Sequence, residues 1–163
     1  MADMRVYLLR HADAVAGEPD PMRDLSPKGQ RQVADLAKGA GRTPLATVRA
    51  IEHSPLVRAV RTAQMLRMLT GSPLPLKVLP GMEPAAAPQK TAAQLGKTRR
   101  DRLLVGHNPH LATVAELLLG LPTDGIRLRK AGLLALERTQ RPSRAHPYGG
   151  WRLLWYVVPD FAK

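Results

Sequence analysis

The chain has 163 residues, 44% of them hydrophobic, and a formal net charge of +12. That apolar share excludes a disordered chain, the length suits one domain over residues 1–163 with a sizeable core, and no apolar run approaches a membrane span. Cysteine is absent, which removes disulfides and thiolate chemistry and leaves His, Asp and Glu as the available metal ligands.

The amino terminus, Met1-Ala2-Asp3-Met4-Arg5, lacks a signal-peptide apolar region and leads straight into a strand, so a cytoplasmic protein is expected. Strand-like runs occupy 4–9, 47–52, 74–79, 102–105, 132–137 and 152–158. Helical stripes alternate with the first four. Val33, Leu36, Ala37 and Ala40 are spaced i, i+3, i+4, i+7, as are Leu111, Val114, Ala115 and Leu118, and Leu56, Ala59, Val60, Ala63 and Leu66 form a similar stripe. Alternating strands and helices predict an α/β three-layer sandwich: a largely parallel central sheet with helices on both faces. The last two strands, joined by a polar loop, supply antiparallel pairing at one edge.

Three helix starts are marked by a capping residue before proline: Ser26-Pro27, Ser54-Pro55 and Asn108-Pro109. The second and third come after strands, at the carboxyl edge where open α/β sheets bind ligands and where helix amino termini favour anions.

Three segments at that edge carry chemistry. Arg10-His11 comes after the apolar run Val6-Tyr7-Leu8-Leu9, His53-Ser54-Pro55-Leu56-Val57-Arg58 after the second strand, and Gly106-His107-Asn108-Pro109 after the fourth. A lone histidine after a strand is more often structural. Arg10 alters that balance, because its planar fork suits two phosphate oxygens and its charge disfavours an imidazolium beside it. Arg58 lies one turn beyond Ser54 and reaches toward the same anion, whereas Arg61 and Arg67 read as solvated. His107 is suited to donate to a phosphoryl oxygen. His53 either lines the pocket or helps close its strand, and Ser54 is most simply a cap. His107 and His110 form an H-x-x-H pair, but no second ligand cluster accompanies it, so no metal and no cofactor is expected. Two arginines and two histidines thus converge on a phosphoryl site with histidine as nucleophile.

These segments resemble the histidine phosphatase superfamily, and within it the short SixA-type phosphohistidine phosphatases. Leu9-Arg10-His11-Ala12 resembles the catalytic R-H motif, with alanine where larger members usually carry glycine. Asp24-Leu25-Ser26-Pro27-Lys28-Gly29 resembles the L-(S/T)-x-x-G segment. Residues 54–63 resemble the S-P-x-x-R-A-x-x-T-A block, and Val105-Gly106-His107-Asn108-Pro109 resembles V-G-H-N-P. The resemblance implies a metal-independent two-step transfer in which His11 becomes phosphohistidine, Arg10, Arg58 and His107 complete the phosphate pocket, and water releases the group. His53 and Asn108 are further substrate-binding candidates. The segment Leu79-Pro80-Gly81-Met82-Glu83-Pro84 resembles the L-x-P-x-x-(D/E)-P segment through its P-x-x-E-P end; Glu83 is thereby either a candidate general acid or an exposed loop carboxylate, with Asp13 a weaker candidate acid. An imidazole leaving group needs less proton assistance than an alkoxide.

The expected substrate is protein phosphohistidine, since little chain is left over for a lid around a metabolite. The rivals are a small-molecule phosphomonoesterase, acting on a sugar phosphate or nucleotide, and a non-catalytic phosphate-binding adaptor. The basic residues are spread over the chain without interleaved aromatics, so an anionic substrate or acidic partner is expected rather than nucleic acid or membrane.

Overall fold

The computed structural model describes residues 3–159. Val6, Tyr7, Leu8 and Leu9 are all buried within β1 (Arg5–Arg10). They lack polar alternation because both faces of this strand are covered. Val6 and Leu8 face one layer and Tyr7 and Leu9 the other. Burial of a side chain of this kind contributes about 1.5–3 kcal/mol, so the run pins β1 between two helical layers.

The other strands are β2 (Ile51–His53), β3 (Leu76–Val78), β4 (Arg102–Gly106), β5 (Leu133–Gln140) and β6 (Gly150–Val157). They form one sheet in the order β3-β2-β4-β1-β5-β6. The first four strands are mutually parallel, β5 is antiparallel to β1, and β6 is antiparallel to β5. Therefore β5 alone opposes the other five, and β6 covers its outer side. A buried carboxylate on β2, Glu52, is matched by the Arg102 fork at 2.7 and 2.9 Å, which satisfies a charge otherwise expensive to bury.

Helices α1 (Pro27–Lys38) and α2 (Val57–Thr70) lie on the Tyr7–Leu9 face, and α3 (Pro88–Gly96) and α4 (His110–Leu119) on the other. The stripes read from sequence face inward: Val33, Leu36 and Ala37 in α1, Ala59, Ala63 and Leu66 in α2, and all four residues in α4 are buried. Ala40 falls beyond α1, in a short 3-10 turn. The second strand is shorter than the 47–52 run suggests. Pro44 opens a 3-10 turn there, and the Thr47 hydroxyl donates to Asp101 at 2.7 Å, outside any ladder.

Chain connections leave β1 and β4 in opposite directions, β1 toward β2 and β4 toward β5, with α1 and α4 on opposite faces. Their adjacent carboxyl ends form the switch-point crevice of an open α/β sheet. There His11 N–H donates to Gly106 O at 2.8 Å, extending the Arg10–Gly106 pairing by one residue.

Candidate active site

His11 lies just past β1 and is 6% exposed. Its Nδ1–H donates to Ala12 O at 2.7 Å, which leaves Nε2 with the free lone pair. Burial is the largest influence on its pKa and lowers it. The Ala12 bond opposes that effect, while Arg58, Arg10 and Lys130 add repulsion, and the result is a pKa of about 4. The ring is therefore neutral at physiological pH.

The loop after His11 is held from two sides. Ala12 N–H donates to Thr62 Oγ1 at 3.0 Å, and the Thr62 hydroxyl donates to Arg58 O at 2.7 Å, joining the loop to the first turn of α2. Asp13 N–H donates to Gln32 Oε1 in α1 at 2.8 Å. Gly29 explains the glycine of the α1 start: a Cβ there would overlap Asp13 O. Ser26 is the cap expected from sequence, its Oγ accepting from Gly29 N–H at 3.0 Å.

The other two caps differ from expectation. Helix α2 begins at Val57, with Leu56 as its N-cap residue and no side-chain cap. Ser54 is fully buried and instead bridges: its Oγ accepts from Leu56 N–H at 3.2 Å and lies 2.7 Å from His107 Nε2. Helix α4 begins at His110, after a cis Asn108–Pro109 peptide. Asn108 does not cap it, because its Nδ2 donates to Leu128 O at 2.7 Å.

His107 is 1% exposed, and its ring centre lies 5.1 Å from that of His11. Burial, then His11 and Arg58, lower its pKa to about 3, and its Nδ1 has no partner. Arg58 is 4% exposed. Its Nη1 donates to Asp20 O at 3.1 Å and to Asp20 Oδ2 at 3.3 Å, while its Nε has no partner. Arg10 donates from Nη1 to Leu128 O at 3.1 Å, and its Nε also lacks a partner. Burial lowers both guanidinium pKa values, yet arginine remains charged in proteins. Unpartnered donors on two cations beside a neutral imidazole form a site that an anion would complete.

The structure also locates the other candidates. His53 is buried, and its Nδ1–H donates to Ser54 O at 2.9 Å. Asp13 accepts from Lys130 Nζ at 2.8 Å and from the Ser26 hydroxyl at 2.6 Å. Desolvation works against its charged form, but these bonds prevail and hold its pKa below the usual value, so Asp13 is a carboxylate rather than a proton donor. Glu83 lies after β3, half-buried, and its charge acts on His110, whose pKa burial lowers and Glu83 partly restores. His110 Nε2 lies 3.0 Å from Thr91 Oγ1, so the H-x-x-H pair diverges. Among the described residues no group of three or more His, Asp or Glu side chains is gathered as a metal site.

Sequence reasoning missed Asp20, Thr62 and the 128–132 segment. Leu128 O receives both Arg10 and Asn108. Arg10 N–H donates to Gly132 O, and Ala131 N–H donates to the carbonyls of Arg10 and His11, each at 3.1 Å. Ala131 is buried with φ of 56°, an uncommon conformation for a side chain-bearing residue and often a mark of a constrained site. Backbone carbonyls carry no residue signature. Thr62 alone had a legible signal, as the threonine of the 54–63 block.

Residues 6–84 match the family model of the Histidine phosphatase superfamily (branch 1). No curated protein matches the chain. Solved structures share its fold. One is the Agrobacterium tumefaciens protein assigned as phosphohistidine phosphatase SixA, with a TM-score of 0.77 and 24% identity, covering 98% of this chain and 100% of that one. Another is the protein histidine phosphatase SixA complexed with tungstate, with a TM-score of 0.76 and 21% identity over 98% and 100%. A third is a mycobacterial glucosyl-3-phosphoglycerate phosphatase, with a TM-score of 0.65 and 21% identity over 94% and 98%. The matched segment includes Arg10, His11 and Arg58, and over it the chain is similar to branch 1 of the histidine phosphatase superfamily.

Proposed function

We propose that the chain is a phosphatase acting through a covalent phosphohistidine on His11, with protein phosphohistidine as its substrate. The observation that carries this reading is the state of His11: neutral, with Nδ1–H engaged by Ala12 O and Nε2 free, beside two cationic forks. In the first step Nε2 attacks phosphorus and the bond from phosphorus to the leaving group breaks. In the second, water attacks phosphorus, the Nε2–P bond breaks, and inorganic phosphate leaves. Arg10 and Arg58 stabilise the equatorial oxygens. With Ser54 donating to Nε2, His107 carries its proton on the unpartnered Nδ1 and offers it to a phosphoryl oxygen.

The proton donor bears on the substrate. Asp13 is held as a carboxylate by Lys130 and Ser26, and Glu83 acts on His110. A site with poor proton assistance suits an imidazole leaving group better than an alkoxide. The likeness in fold to structures named SixA supports the same reading. The likeness to a glucosyl-3-phosphoglycerate phosphatase favours the rival, a small-molecule phosphomonoesterase. No metal enters the proposed chemistry, and a chelator is expected to leave turnover unchanged.

The test is trapping. Brief incubation with labelled substrate and an alkaline quench should leave an acid-labile phosphoryl group on His11, absent from folded His11→Ala, which should also be inactive. Label on another residue, or turnover in His11→Ala, overturns the nucleophile. Binding of phosphate without turnover by the wild type leaves the adaptor. Faster hydrolysis of sugar phosphates than of phosphohistidine proteins establishes the rival substrate class.

A further inference from the structure

A cleft of about 710 Å³ adjoins the phosphoryl site. Arg10 and Asn108 line it from the site, and Asp124, Arg127, Leu128 and Arg129 line it from the segment between α4 and β5. Leu128 is 1% exposed, whereas Arg127 and Arg129 on either side are less buried. Alternation of this kind turns both guanidinium groups outward from a shared backbone. That backbone is anchored twice, since Leu128 O accepts from Arg10 and Asn108, and Arg129 N–H donates to the Tyr156 hydroxyl at 2.8 Å. Among the described residues neither guanidinium has a hydrogen-bond or ion-pair partner. Asp124 is the single acid of the lining. The excess positive charge therefore faces a cleft that already shares Arg10 with the phosphoryl site.

We infer that Arg127 and Arg129 form a subsite for a second anionic group on the substrate. The inference rests on the phosphatase reading and narrows its substrate class to phosphorylated molecules carrying a carboxylate or further phosphoryl group near the transferred one. Two sources supply that chemistry: acidic side chains flanking a phosphohistidine in a protein, or a small phosphorylated acid. Planar guanidinium forks bind either carboxylate or phosphate in bidentate fashion.

The experiment compares matched substrates on the wild type and on Arg127→Ala/Arg129→Ala. One arm uses phosphoglycolate against ethyl phosphate, the other phosphohistidine peptides with Asp or Ser flanks, and p-nitrophenyl phosphate reports the chemistry alone. The wild type should prefer the anionic member of at least one pair. The double variant should lose about tenfold or more in kcat/KM on that member, with less than about twofold change on p-nitrophenyl phosphate. A response confined to peptides assigns the protein source, and one confined to phosphoglycolate the small acid. Arg99→Ala/Arg100→Ala removes two exposed cations outside the cleft lining and should retain the preference, because screening confines a surface charge to about a Debye length, roughly 10 Å. An equal loss in that control, no preference in either pair, or equal loss on p-nitrophenyl phosphate overturns the subsite. Absence of wild-type turnover on every substrate fails the phosphatase reading instead. Calorimetry of phosphoglycolate against ethyl phosphate on His11→Ala then still decides the subsite: tighter phosphoglycolate binding lost in the double variant supports it, and equal binding refutes it.

Discussion

At the scale of single residues, the variable that controls the proposed chemistry is the protonation of His11. Its pKa of about 4 keeps Nε2 unprotonated through most of the acid range. The acid limb of kcat/KM should therefore fall below about pH 5, once the substrate's own phosphate titration is subtracted, rather than near the unperturbed value of about 6.5. A limb between about pH 6 and 7 on an aryl phosphate would contradict the buried, arginine-flanked setting. Glu83 offers a second test. If it protonates leaving groups, Glu83→Gln should weaken alkyl phosphate hydrolysis by about tenfold or more and largely spare phosphohistidine. Equal losses on both would assign it a supporting role through His110. The convergence of Arg10, His11, Arg58 and His107 was readable because cations and imidazoles in sheet-edge segments have few other reasons to be grouped. Asp20 was not readable: an acid in an exposed turn remote in sequence reveals its partner only after folding.

At the scale of elements, the stripes of α1, α2 and α4 were legible because their buried faces are aliphatic at helical spacing. Helix α3 offered no such stripe, since its buried residues are Thr91, Ala92, Leu95 and Gly96, with only one large apolar group among them. The Ser54 and Asn108 caps were misread because the Ser-Pro and Asn-Pro signatures specify a turn residue without naming its partner. His107 and Leu128 O proved to be those partners. Two glycines separate the effects of rigid and yielding neighbours. Gly29→Ala sets a Cβ against Asp13 backbone, which cannot move without dragging the His11 loop. Gly106→Ala meets Met82 Cε at 2.9 Å, the tip of a flexible chain. Gly29→Ala should destabilise by about 1–3 kcal/mol and reduce kcat, whereas Gly106→Ala should do less of both. Denaturant midpoints and turnover check the order, and the reverse ranking would contradict the packing described.

At the scale of the whole molecule, the same two buried imidazoles link stability to pH. His11 and His107 have folded pKa values of about 4 and about 3, below the ordinary value of about 6.5. Between the folded and ordinary values the unfolded chain binds more protons, so stability is fully present above about pH 6.5 and declines as pH falls toward about 4 and below. The effect is on the order of 3 kcal/mol for His11, and the nearby His107 titrates with it. Unfolding midpoints should fall from about pH 7 to about pH 4.5, less steeply in His11→Gln; equal slopes would sink the linkage.

The reversed strand has a further consequence for how this site is assembled. Five strands bring to the carboxyl edge only the residues at their exits. Because β5 runs the other way, its entrance lies at that edge, and residues that precede a strand take part there as well. The backbone from 128 to 132 thereby reaches Arg10, His11 and Asn108 as a brace whose far end is sewn into the sheet through β5 and β6. The segment from 128 to 157 is thus a keystone for residues near the chain's beginning. Deleting β5 and β6 would release the seat of Arg10, even though every side chain proposed to touch the transferred phosphoryl group lies before Asn108.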